Sequence, residues 1–62
     1  MTYKIGDKVR ITRPFYILRM GVTIPIGATG VVKEVLEEEL LVEFPSCEMA
    51  VAKLFPGEVR RV

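Results

Sequence analysis

Prolines and glycines recur too often in this chain for any long regular element to form. Gly6, Pro14, Gly21, Pro25, Gly27, Gly30, Pro45, Pro56 and Gly57 punctuate it. The like-charged triplet Glu37-Glu38-Glu39 adds one more break, because three adjacent carboxylates repel and must sit in water. Between these breaks lie short runs rich in valine and isoleucine, which is the pattern of an all-β domain. Lys8 to Arg13 alternates, with Lys8, Arg10 and Thr12 on one face and Val9 and Ile11 on the other. This is the period-2 pattern of a half-buried strand. Gly6-Asp7 before it reads as a turn. Pro14 ends it, since proline cannot donate to a ladder.

Further along, Gly27-Ala28-Thr29-Gly30 reads as a second turn, with a strand over Val31–Leu36 behind it. Leu40–Phe44 gives the next strand, Leu40, Val42 and Phe44 facing one way and Leu41 and Glu43 the other. The two strands predict a hairpin turning through the glutamates. Pro45-Ser46-Cys47 makes another turn, and Glu48–Leu54 a strand whose alanines suit a narrow interior. Its segment EMAVAKLF also has the composition of a short amphipathic helix, the competing reading. Phe55-Pro56-Gly57 predicts a single 3₁₀ turn, and Glu58–Val62 a closing strand with Val59 inward. Five short strands that must remove their edges favour curling into a small barrel.

At 62 residues the chain makes one domain. A chain of that size buries only ~60% of its unfolded surface, with a stability of roughly 3–5 kcal/mol. Cys47 is the only cysteine and there is no histidine, so neither an internal disulfide nor a zinc site stiffens it. Half of the residues are hydrophobic, and an apolar core has to do the work. Charged residues near the N-terminus leave no apolar run for a signal peptide, and no apolar stretch is long enough to span a membrane. The expected location is cytoplasmic. The net charge of +1 conceals an asymmetry: six basic residues and one acid in residues 1–33, three basic residues and seven acids in residues 34–62.

Catalytic chemistry is poorly supplied. Without histidine there is no Ser–His or Cys–His pair, and Cys47 sits beside Glu48, which disfavours its thiolate. The Gly27–Gly30 segment lacks the lysine and the helix of a phosphate loop. The triple glutamate lacks the spacing of a calcium loop. The expectation is a non-enzymatic chain with no cofactor and no metal.

The framework GDKVRI (Gly6–Ile11), IPIGATGVVKEV (Ile24–Val35), LVEF (Leu41–Phe44) and LFPGEVRRV (Leu54–Val62) resembles the small bacterial SH3-like barrels, among them a family of uncharacterised domains of this length. Over Gly6–Ile11, Gly30–Val35 and Val42–Phe44 it is also distantly similar to the small stromal-side subunit of photosystem I and the variable chain of ferredoxin–thioredoxin reductase. The resemblance implies a five-stranded SH3-like barrel with a long first hairpin arm and a 3₁₀ turn before the last strand. The two better-understood relatives imply an accessory subunit that docks on a partner. Type II dihydrofolate reductases share the size and barrel, but their substrate-binding V-Q-I-Y stretch falls on MAVA (Met49–Ala52) here, which argues against that activity.

The arm would be PFYILRMGVTIPIG, Pro14–Gly27, with its tip at Met20-Gly21. Alternation sends Phe15, Ile17 and Arg19 one way and Tyr16, Leu18 and Met20 the other. Both faces are apolar, so one caps the core and the second is an interaction surface if it stays exposed. The candidate protein-binding residues are Tyr16, Leu18, Arg19, Met20 and Val22, with Phe55 beside the 3₁₀ turn. The occupant is a protein partner or, by the same patch, a second copy. The alternative is a nucleic-acid-binding face of Lys8, Arg10, Arg13, Arg60 and Arg61 on the first and last strands.

Overall fold

The chain forms seven strands in the computed structural model, which describes residues 3–62. They are β1 (Lys8–Ile11), β2 (Phe15–Ile17), β3 (Val22–Ile24), β4 (Thr29–Val35), β5 (Leu40–Phe44), β6 (Ala50–Leu54) and β7 (Val59–Arg61). Two 3₁₀ turns, Pro45–Cys47 and Pro56–Glu58, precede β6 and β7. The described residues contain no α-helix, so the strand reading of EMAVAKLF prevails over the helical one.

The strands form two antiparallel sheets. Five pair in the order β6-β5-β4-β1-β7, and β2 and β3 form a separate hairpin inserted between β1 and β4. The expected closed barrel is not seen as such: the five-stranded sheet leaves β6 and β7 as its two edges. β7 pairs with β1 along one edge over three residues, its other edge is not joined to β6, and the hairpin covers the core, with β3 packing on the first 3₁₀ turn.

The core lies on one face of the sheet. Val9, Ile11, Val32, Leu40, Val42, Phe44, Ala50, Ala52, Leu54 and Val59 from the sheet meet Ile17 and Ile24 from the hairpin, all buried. No charged or polar side chain is buried with them among the described residues. Ala50 and Ala52 let β6 approach the facing layer closely, as small residues do in crowded interiors.

Several boundaries differ from those read along the chain. β1 stops at Ile11, and Thr12 leaves the ladder to donate its backbone N–H and its hydroxyl to the Glu58 carbonyl (2.9 and 3.0 Å). β4 begins at Thr29 rather than Val31. The turn before it is Pro25–Ala28, closed by the Ala28 N–H on the Pro25 carbonyl, with Gly27 at φ +90° in the position where a type II turn favours glycine. Gly30 therefore serves the strand, not the turn. A Cβ there would lie 2.6 Å from Val42 Cγ1 and 2.8 Å from the Glu43 carbonyl. β6 begins at Ala50 rather than Glu48: Glu48 and Met49 both adopt left-handed backbone (φ 60° and 59°) in the connection from β5. The pairing of β4 with β5 shifts between Val32 and Glu34, a bulge at Lys33. The turn closing that hairpin, Leu36–Glu39, carries the glutamates into solvent as expected, Glu37 and Glu38 exposed and Glu39 half-buried.

Candidate functional site

The hairpin arm is short and sharply turned. Phe15, Tyr16 and Ile17 pair with Ile24, Thr23 and Val22. The Met20 and Gly21 N–H groups both donate to the Ile17 carbonyl (3.2 and 2.9 Å). Gly21 at φ +65° supplies the left-handed residue that reverses the chain. Alternation thus holds only from Phe15 to Ile17, and Leu18 to Gly21 is turn. Ile17 and Ile24 are buried, which makes that face the lid over the core. Tyr16 (55% exposed), Leu18 (81%) and Met20 (43%) remain in water, with Arg19 exposed between them.

One residue assigned to this surface, Val22, faces the other way, and Phe55 lies beside the second 3₁₀ turn. Val22 is opposite Ile17, so it belongs to the half-buried lid side, and Thr23 is the residue opposite Tyr16. Phe55 is 54% exposed, but it sits in the connection after β6. There Glu58 fixes it reciprocally: the Phe55 N–H donates to Glu58 Oε1 (3.0 Å), and the Glu58 N–H donates to the Phe55 carbonyl (2.9 Å). Ile26, 64% exposed, was not singled out from the chain. Its place as the second residue of the Pro25–Ala28 turn, where side chains point outward, is the signal that finds it.

The basic residues divide between the two faces of the sheet. Lys8 and Arg10 are exposed on the outer face of β1. Register sets Arg10 directly opposite Arg60 on β7. Arg61 is the cross-strand partner of Val9, so it leaves from the opposite face. Its guanidinium lies 3.3 Å from Asp7 Oδ2 and stacks 4.9 Å from the centre of the Tyr3 ring. Arg61 thus departs from the grouping assigned to it. Arg13 lies exposed in the bend after β1, off the strand. Asp7 also accepts the Lys4 backbone N–H at 2.9 Å. That hydrogen bond, with the hydrogen bond and charge of Arg61, holds its carboxyl below the ordinary aspartate range.

Cys47 is half-buried against the core, its Sγ 3.9 Å from Ser46 Oγ. The described residues form no pocket and no cluster of three or more metal-ligating side chains. They include no helix long and apolar enough to cross a membrane. The candidate sites are therefore exposed surfaces. No family model, no curated protein and no solved structure matches the chain.

Proposed function

We propose that the chain is a non-enzymatic protein-binding or assembly module with an SH3-like architecture, acting in the cytoplasm. The strand order β6-β5-β4-β1-β7, with a hairpin arm between β1 and β4, supports the architectural part of that reading. The observation that carries the function is the exposed side of the arm. A chain short of core material leaves Leu18 81% exposed, with Tyr16 and Met20 exposed on the same hairpin. Arg19 lies among them, and aromatic, methionine and arginine side chains are the types enriched at protein interfaces. A standard interface of ~800 Å² per partner would take about a fifth of the 4230 Å² that the described chain exposes. The arm would be its centre, and Ile26 a neighbour on the same arm.

Sedimentation of the purified chain, then capture of a partner from native extract, tests this reading. Burying one such side chain contributes ~1.5–3 kcal/mol, so Leu18→Ser with Met20→Ser weakens association by a hundredfold or more. Both side chains are exposed, so the double variant keeps the wild-type urea midpoint within about 0.5 kcal/mol. Association unchanged in that variant overturns the assignment. Concentration-dependent dimerisation lost in it would make the partner a second copy.

A further inference from the structure

We propose that the outer face of β1 and β7 is a second binding surface, separate from the arm, that grips the phosphodiester backbone of a nucleic acid through Lys8, Arg10 and Arg60. The geometry begins with a cost. Arg10 and Arg60 are directly opposed across antiparallel strands, at a spacing of ~5.5 Å between Cα atoms for a hydrogen-bonded pair. Like charges so placed are destabilising. Lys8 joins them two residues along β1 on the same face. Among the described residues, none forms a hydrogen bond or ion pair with these three side chains.

The surroundings relieve the repulsion only in part: Glu58, two residues before Arg60 and opposite Thr12, is the nearest acid along this edge, and its carboxylate already accepts the Phe55 N–H at 3.0 Å. Register puts Thr29 beside Arg10 and Val31 beside Lys8. Across the sheet from Lys8, the first acid is Glu43, opposite Val31 on β5. It is two strands from Lys8, or ~10 Å, beyond a Debye length of ~8 Å at physiological salt. It is also engaged by Lys33 at 3.6 Å. The adjacent arginine shows the contrast, since Arg61 is turned to the other face and held by Asp7 and the Tyr3 ring. A facing pair plus a third cation, with the neighbouring Glu58 carboxylate already held by the Phe55 N–H, suits a run of anions that neutralises all three.

Phosphodiester oxygens supply that run, and arginine matches their geometry in bidentate fashion. The stretch of this face around Arg10 presents threonine and valine beside the cations and no aromatic ring. It therefore reads phosphates and not bases, and binding is independent of sequence. Three contacts make it weak, of the order of 10⁻⁴ M at physiological salt.

The test is fluorescence anisotropy with a labelled 20-nucleotide deoxythymidine strand and, separately, a labelled 20-base-pair duplex, each titrated with the full chain at low and tenfold higher salt. The expected result is binding to at least one probe that weakens about 100-fold over that range for the single strand and more steeply for the duplex. The stronger probe identifies the source of the phosphates. Arg10→Gln with Arg60→Gln should abolish binding with a thermal midpoint level with or above wild type, which separates lost contacts from lost folding. Lys8→Gln should weaken binding about tenfold, and Leu18→Ser with Met20→Ser should leave it unchanged. Absence of binding to both probes at low salt, binding retained in the arginine double variant, or equal binding to labelled polyglutamate overturns the proposal. The last of these would assign the face to acidic proteins.

Discussion

Gly30 is the one glycine with no room for a Cβ. The space a Cβ would need there is taken by Val42 Cγ1, the Glu43 carbonyl and Phe44 Cδ2 (2.6, 2.8 and 3.0 Å). The carbonyl belongs to a paired strand and cannot yield cheaply. Gly30→Ala should therefore cost about 1–3 kcal/mol, the usual range for overpacking. That is a large part of a margin of roughly 3–5 kcal/mol, and it would appear as a lower urea midpoint at unchanged slope. Asp7 gives the other single-residue prediction. Its carboxyl is held below the ordinary range first by the Lys4 N–H and then by Arg61. A depressed folded value means that its contribution is complete above the ordinary pKa of ~3.9 and is lost as pH falls through the folded one. Asp7→Asn should be less stable than wild type near neutral pH, and the difference should vanish in acid. A gap in urea midpoint that persists well below the aspartate range would show that the carboxylate is not its source.

At the scale of elements, the connection from β5 to β6 stands out. Glu48 and Met49 occupy left-handed backbone in succession, which costs about 1–2 kcal/mol per non-glycine residue. Met49 is 57% exposed, so its side chain recovers little by packing. Met49→Gly should raise stability by up to ~1 kcal/mol, after allowing for the extra freedom glycine has when unfolded. A lower thermal midpoint in that variant would refute the strain. The same connection shows where reading along the chain fails. Glu48 and Met49 fit a strand by composition, but Phe44 must pair with Ala50 for the alanines to face inward. The five residues between them then have to turn back within a fixed span. Gly30 was misplaced for a similar reason: a glycine needed for close approach and a glycine needed for a turn look alike until the facing strand is known. Elsewhere the period-2 pattern was sufficient. Val9, Ile11, Leu40, Val42, Phe44 and Val59 are buried where alternation puts them.

For the molecule as a whole, the two proposed surfaces lie on different elements. One is the hairpin arm beyond β1, and the other is the outer face of β1 and β7. They differ in physics as well. Apolar contact on the arm should hardly respond to ionic strength, whereas phosphate contact weakens steeply with it. Each double variant should therefore silence one surface and spare the other. Both surfaces could be read only in part beforehand. That one face of the arm would cap the core was clear from its apolar content, but Val22 fell on the lid side once strand register was set, and the Pro25–Ala28 turn left Ile26 exposed. The basic set was drawn from β1 and β7, yet consecutive arginines at positions 60 and 61 take opposite faces of β7.

Composition and period settled what is local: strand formers between turn residues yield an all-β chain, and alternation along each strand selects its inward side chains, because strand geometry is a property of neighbouring residues. Tertiary structure decided whatever depends on a partner strand. It left the sheet open, laid the hairpin over its core, sent Arg61 to Asp7 and set Arg10 against Arg60. Register between distant segments is set by packing and hydrogen bonding across the sheet, and a shift of one residue would turn each of those arginines to the other face.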